Sequence, residues 1–316
     1  MEYYRSLAEL PHDFGPSAVT IGKFDGVHSG HRRVIEQLCD AAKADELLPT
    51  VLTFDRHPLA LLDPDKAPTS LTSNEQRRSV LESTGVAAVV MVEFTREFSR
   101  LSAEEFIQRV LVEALHARLV FVGPDFRFGR DGLGDVQLLI EHGRRKGFDV
   151  RMIDPVRPDG DRVISSTWVR DLLAEGRVDE AAKLLERRPT VRGEVVHGEQ
   201  RGRKLGYPTA NLSANLEGFI PADGVYAAYA TVDGRTMPAA VSIGNNPTFV
   251  GVPERQVEAH LLDENLDLYG KTLEVAFVAF IRGMAKFDSV DELVDQIRLD
   301  EQRVREILQL SARPTA

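Results

Sequence analysis

Cysteine and tryptophan occur once each in the 316 residues, as Cys39 and Trp168. One cysteine forbids an internal disulfide and leaves no thiolate cluster for structural zinc, which points to a reducing, cytoplasmic compartment. Apolar runs long enough to span a bilayer are missing, and no membrane association is expected. The opening stretch MEYYRSLAELPHDF lacks the basic start and continuous apolar segment of a signal peptide, so export is not expected either. Positive charge is in short supply: 39 Lys and Arg against 49 Asp and Glu leave a formal net charge of −10. That balance argues against a broad nucleic-acid footprint but permits a local basic pocket, so the expected partners are small molecules. Internal repeats and low-complexity tracts are also absent, and the sequence leaves the oligomeric state open.

What is present suffices for two cores, with 43% hydrophobic residues over a length beyond one typical domain. In the first half, short apolar runs at 18–22, 49–54, 87–92, 119–123 and, more weakly, 149–153 alternate with amphipathic stretches at 31–47 and 102–115. Ser102 and Glu105 form a capping-box pair at the head of the second stretch. This alternation predicts a doubly wound parallel α/β sheet, Rossmann-like, with ligands beyond the carboxyl ends of its strands. From ERRPTVRG (186–193) onward, strands follow strands. The run YAAYATVDGRTMPAAVSIG suggests a hairpin turning at Asp233-Gly234, and the segments at 191–196, 255–262 and 272–281 add strands. They predict an antiparallel β-barrel followed by a C-terminal helix capped at Ser289 and Glu292, with positions 290, 293, 294 and 297 facing the barrel. The expected domains are 1–186 and 187–316.

GKFDGVHSGH, residues 22–31, sits between a strand and a helix, where free backbone N–H groups and the helix dipole meet phosphate. Gly22, Gly26 and Gly30 permit close approach around Phe24, and His28 and His31 can donate to phosphate oxygens. An HxxH pair is also half a metal site, or simply polar residues at a helix start. In ISSTWVR, residues 164–170, Ser165, Ser166 and Thr167 suit a helix cap, and Arg170 lies one turn later, able to reach a phosphate. The loop VGPDFRFG offers Phe126 and Phe128 as flat surfaces and Asp125 as a polar contact, or two aromatics anchoring the loop to the core. His57, in TFDRHP, follows another strand end.

In the second half, RGRKLGYPTANL gathers Gly202, Arg203, Lys204 and Gly206, able to wrap phosphates, before Thr209 and Asn211, whose oxygens are hard donors of the kind Mg²⁺ accepts. The same stretch also reads as a basic surface loop before a Pro turn. In RQVEAHLL, alternation puts Glu258 and His260 opposite Val257, Ala259 and Leu261. Glu258 is a candidate general base if its strand lies beside Thr209 and Asn211, and otherwise part of a solvated face.

HSGH paired with ISSTWVR resembles the nucleotidyltransferase superfamily, which holds ATP between two such turns. GKFDGVHSGH, TFDRHP, VGPDFRFG and ISSTWVR together resemble, in order, the FAD synthetase module of the bacterial bifunctional riboflavin kinase/FAD synthetase family, in which TFxPHP is more usual than an arginine like Arg56. GRKLGYPTANL, GVY at 224–226, SIGNNPTF at 242–249 and VEAHLLDENLDLYG are similar to the riboflavin kinase module of the same family. Glu264 stands where that family often has Phe, a difference read as surface variation. The resemblance implies ATP, riboflavin, FMN and FAD as substrates and products. It also implies Mg²⁺ on Thr209 and Asn211, Glu258 as base, ATP phosphates on His28, His31 and Arg170, and flavin near His57, Asp125, Phe126 and Phe128. The competing expectations are a class I aminoacyl-tRNA synthetase-like enzyme and a flavin-binding carrier without turnover.

Overall fold

A computed structural model describes residues 1–158, 160, 162–198, 205–244 and 255–310. The chain divides into two compact units, Met1–Ser166 and Thr167–Ala316.

The first unit is built on six parallel strands: β1 (Glu2–Tyr4), β2 (Ser17–Ile21), β3 (Leu48–Phe54), β4 (Ala88–Val92), β5 (Ala117–Val122) and β6 (Asp149–Met152), in the order β1-β4-β3-β2-β5-β6. The helices of this unit are α1 (Ser29–Ala44), α2 (Pro58–Leu62), α3 (Asn74–Glu82), α4 (Arg96–Ser99), α5 (Ala103–Phe106) and α6 (Val136–Lys146). Every residue of β2 and β4 is buried, as expected for central parallel strands covered on both faces. Val19, Leu52, Val90 and Val120 meet Ile107, Leu111 and Leu115 in one layer. Val51 and Val89 meet Phe24, Val27, Ile35 and Leu81 in another. β1 escapes the sequence pattern because it is a three-residue edge strand with no buried position.

The helix expected over 102–115 does begin with both halves of its capping box, Glu105 N–H donating to Ser102 Oγ at 3.1 Å and Ser102 N–H to Glu105 Oε2 at 2.9 Å. After α5, however, it widens into a π-helix over Ile107–Ala114. Ile107, Leu111 and Leu115, spaced by four, all remain fully buried. Because β2 lies between β3 and β5, the strand order reverses there, and the loop leaving its carboxyl end, residues 22–28, occupies the topological switch point.

The second unit opens with α7 (Ser166–Ala174) and α8 (Val178–Leu185) and continues into β7 (Thr190–Val196), β8 (Ala210–Leu212), β9 (Gly224–Val232), β10 (Arg235–Gly244), β11 (Gln256–Leu261) and β12 (Thr272–Arg282). These strands close into an antiparallel barrel, β10-β11-β8-β7-β12-β9. Asp233 and Gly234, at φ 49° and 78°, both take the left-handed backbone that a tight hairpin between β9 and β10 requires.

Helix α9 (Val290–Leu308) lies on the barrel, with Val304 and Leu308 against Ala227 and Leu262. Its buried stripe differs from the expected one. Val290 is 54% exposed, and Leu293, Val294 and Ile297 are only half-buried. The fully packed positions are Asp300, Glu301, Val304, Arg305 and Leu308, because two ion pairs, Arg282 to buried Asp300 at 2.7 Å and buried Arg305 to Asp263 at 2.6 Å, fix which side faces the barrel. Among the described residues, no helix is long and apolar enough to cross a membrane.

Candidate functional site

Many of the singled-out side chains gather at two places, the loop after β2 and the start of β8. In the first, the loop after β2 holds three residues with positive φ within four positions: Phe24 (φ 47°), Gly26 (φ 77°) and Val27 (φ 39°). A β-branched residue in that region is strained, and it persists here because Phe24 and Val27 are buried in the core. The turn delivers His28 to the N-cap of α1, where its Nδ1 accepts from the backbone N–H of His31 at 3.4 Å. The two rings stack with centroids 3.7 Å apart, and Phe24 backs His31 at 5.0 Å. Gly30 eases this stack, since a Cβ there would stand 3.1 Å from His28 Nδ1 and press on the ring.

Nδ1 of His31 is buried without a hydrogen-bond partner. Burial first, and then the neighbouring His28, Lys23 and Arg77, push its pKa well below the ordinary histidine value. A histidine kept uncharged by burial at a helix N-terminus suits an incoming anion that brings its own charge. Among the described residues, no group of three or more His, Cys, Asp and Glu could hold a metal ion, so the HxxH pair is not extended into a zinc-type site.

Four residues around this turn were not singled out in the sequence: Lys23, Asp25, Asp55 and Arg77. Lys23 Nζ lies 3.1 Å from His57 Nε2, joining the carboxyl ends of β2 and β3. His57 also caps α2 by accepting from Leu59 N–H at 3.1 Å. Buried Arg77 donates to the carbonyl of Lys23 at 2.7 Å and to that of Asp55 at 3.5 Å, pinning both strand ends. The Asp25 carboxylate accepts from Leu71 N–H at 2.8 Å, and its carbonyl accepts from Ser166 Oγ at 2.8 Å. Residues 164–166 therefore lie against the turn at 25–30, with Ile164 O 3.8 Å from the place a Gly30 Cβ would take. Ser165 precedes α7, Thr167 lies in its first turn, and Arg170 is half-buried on the same helix. Arg56 is accommodated by its pairs with Asp55 at 2.7 Å and Glu93 at 3.7 Å.

Further along, Phe126 and Phe128 stack at 5.4 Å. Phe128 is sunk in the core with 6% exposure, Phe126 is half-buried, and Asp125 is exposed. Gly22 is half-buried, with the Phe24 ring 3.1 Å from its virtual Cβ.

The second cluster is set by strand register. β11 pairs with β8 so that Glu258 faces Asn211, and β11 alternates buried Val257, Ala259 and Leu261 with half-buried Glu258 and His260. Thr209, just ahead of β8, donates its Oγ1 hydrogen to Glu258 Oε2 at 3.3 Å. His260 Nδ1 sits 2.8 Å from the carbonyl of Pro208, holding the approach to Thr209 in place. Gly198 leaves room for the Asn211 amide, since a Cβ there would fall 2.5 Å from its Cγ and force it to move.

Beside these groups opens a cleft of about 360 Å³, lined by Thr209, Asn211, Gly198 and the segment 264–269. At its rim, Tyr269 stacks with His197 at 3.9 Å. Glu264 is not free surface: it lines the cleft and forms an ion pair with Arg235. Thr209 hydroxyl and Asn211 amide oxygen are hard donors that fit a divalent cation whose shell is completed by phosphates and water, and the Glu258 carboxylate accepts from the first of them. Gly206 (φ 85°) lies in the loop ahead of Thr209. Gly202, Arg203 and Lys204 lie outside the described residues, as does most of SIGNNPTF.

Comparison with known proteins agrees with this division. A family model described as FAD synthetase matches residues 10–167, and one described as riboflavin kinase matches residues 185–308. A bifunctional riboflavin kinase/FMN adenylyltransferase of Escherichia coli K12 is 40% identical over 307 residues, spanning 97% of this chain and 96% of the relative. Its counterparts from Listeria monocytogenes and Bacillus subtilis are 37% and 34% identical, each alignment covering about nine-tenths of both chains. A crystal structure from Streptococcus pneumoniae, described as a macrolide-efflux protein, superposes with a TM-score of 0.85 at 35% identity and covers 96% of this chain and 98% of that one.

Proposed function

The chain belongs to the family of bifunctional riboflavin kinase/FMN adenylyltransferases, and from that premise we propose which of its residues perform each reaction. Riboflavin, FMN, FAD and ATP are its substrates and products, with the FAD synthetase module N-terminal and the riboflavin kinase module C-terminal. That membership displaces the aminoacyl-tRNA synthetase-like and carrier readings. We assign residues 1–186 to the first module and 187–316 to the second. A cytoplasmic setting, supported by the lone Cys39, belongs to the same reading.

In the kinase module, the 5′-hydroxyl oxygen of riboflavin bonds to the γ-phosphorus of ATP while the bond to the β–γ bridging oxygen breaks. FMN and ADP result, and the hydroxyl proton passes to Glu258. The contact between Thr209 Oγ1 and Glu258 Oε2 carries this assignment, because it ties a carboxylate base to a hydroxyl that lines the cleft. Thr209 and Asn211 would hold Mg²⁺, which when bound offsets the charge developing on the phosphates. Gly202, Arg203, Lys204 and Gly206 complete the phosphate-binding assignment.

In the synthetase module, a phosphate oxygen of FMN bonds to the α-phosphorus of ATP and pyrophosphate leaves. That nucleophile is already anionic, so no base is needed and catalysis is positioning and charge neutralisation. We assign the ATP phosphates to His28, His31 and Arg170 and to the surroundings formed by Gly22, Phe24, Gly26, Gly30, Ser165, Ser166 and Thr167. The flavin is assigned to His57, Asp125, Phe126 and Phe128, with the half-buried Phe126 offering the more accessible ring.

The decisive experiment incubates the protein with riboflavin, ATP and Mg²⁺ and separates the products. FMN and FAD should both form. Formation of neither contradicts the reading.

A further inference from the structure

The cleft beside Thr209 is only as well formed as its far wall, residues 264–269, and that wall is a loop. Its two ends are held differently. At the C-terminal end, ordinary backbone bonding suffices: Gly270 N–H donates to the carbonyl of Val195 at 2.9 Å, and Val195 N–H to that of Lys271 at 2.8 Å. At the N-terminal end the chain leaves β11 through Leu262 and Asp263. Leu262 is buried under Val304 and Leu308 of α9 and donates its N–H to the carbonyl of Pro238 at 2.9 Å.

Asp263 then takes a left-handed backbone at φ 60°, a conformation that Asp adopts more readily than most L-residues. Its carboxylate is engaged by Arg305 of α9, whose Nη2 donates to Asp263 Oδ1 at 2.6 Å and to Glu301 Oε1 at 3.0 Å. The Arg305 side chain is 10% exposed and that of Glu301 is 8% exposed, whereas that of Asp263 is 39% exposed. The next residue, Glu264, is the first of the cleft wall and is itself gripped by Arg235.

We propose that Arg305 is a positioning residue for the kinase reaction, acting through Asp263 to aim the wall 264–269 at the nucleotide. The proposal rests on the reading of this cleft as the ATP site. Removal of the guanidinium lets the Asp263 carboxylate turn to water and its backbone relax to negative φ. That rotation is passed directly into Glu264, so the wall swings while Glu258 and Asn211, held by strand register, and Thr209, bonded to Glu258, stay in place. The signature is a loss of ATP affinity with little change in the chemical step, which a merely structural role for α9 does not produce.

The test is steady-state kinetics of the full-length protein. Arg305→Met, which keeps the packed stem, should raise the KM for ATP about tenfold, with kcat and the KM for riboflavin close to wild type. FMN adenylylation by the same preparation should be unchanged, and Arg305→Lys should recover part of the ATP affinity. Asp263→Asn tolerates the same backbone and drops only the charge; it should raise the ATP KM less, and the double variant should be no worse than Arg305→Met alone. An ATP KM at the wild-type value in both Arg305→Met and Asp263→Asn overturns the proposal, as does a rise confined to riboflavin. If Arg305→Met does not fold, Asp263→Asn decides alone. Thr209→Ala separates the two layers: if it leaves the ATP KM untouched, the ATP reading falls and takes the proposal with it. If it raises that KM while Arg305→Met does not, only the positioning role falls.

Discussion

Thr209 Oγ1 and Glu258 Oε2 stand 3.3 Å apart although 49 positions separate them in the chain. The pairing of β8 with β11 produces this meeting, so the geometry of the proposed kinase centre is a property of the barrel rather than of any one loop.

Replacement of Glu258 by Gln keeps shape and removes the base. Riboflavin phosphorylation should fall by about 10² to 10⁴, while FAD formation from supplied FMN persists. A near wild-type kinase rate in product chromatography removes Glu258 from the role of base. Chelation of divalent cations should stop FMN formation by the wild-type protein, and restored Mg²⁺ should return it.

Gly198→Ala probes the same centre from the opposite side. Its Cβ would sit 2.5 Å from Cγ of Asn211, so the amide has to move. A loss of about tenfold or more in kinase kcat/KM is expected, together with a higher Mg²⁺ requirement. Unchanged Mg²⁺ dependence would show that Asn211 is not a ligand.

For the synthetase module, His28→Ala removes both the cap of α1 and one ring of the stacked pair. FAD formation should drop by about 10²-fold or more, with FMN formation intact. Equal loss of both activities in the two assays contradicts separate sites.

His31 supplies a pH dependence. Because burial holds its folded-state pKa well below 6.5, the unfolded chain binds a proton that the folded chain refuses once the pH drops below that value. Stability of the N-terminal half should therefore decline as pH falls from 6.5 toward the depressed value and be flat above it. Hydrogen exchange at α1, compared between wild type and His31→Gln, reads this directly: the variant should lose that part of the slope.

Much of this was legible in the sequence, and the misses have physical causes. Strands β2 to β5 and the barrel hairpin announce themselves because each buries a periodic or continuous apolar run, whereas β6, with no buried position, shows only weakly. β1 and β8, at three residues each, are too short to show a period and exist only through pairing with β4 and with β7 and β11. The HSGH and PTAN turns are visible because each needs glycine, histidine or oxygen donors at fixed spacing. Arg77 and Lys23 are not, since a lone cation in a helix or turn reads as solvated until the fold buries it or sets it beside His57. The face of α9 was misjudged for the same reason: apolar spacing pointed to 290–297, whereas ion pairing by Asp300 and Arg305 decides the contact.

The two sheets also differ in how they end. The barrel closes, β9 against both β10 and β12, and so offers no unpaired row of backbone groups to another chain. The parallel sheet does have margins, but they are β1, with three residues, and β6, with four, the latter carrying Asp149 and Arg151. Strand addition between copies, the usual first step toward amyloid-like aggregation, has to begin at one of these short margins. The chain thus keeps its longest strands, β9, β10 and β12, where no neighbour can recruit them.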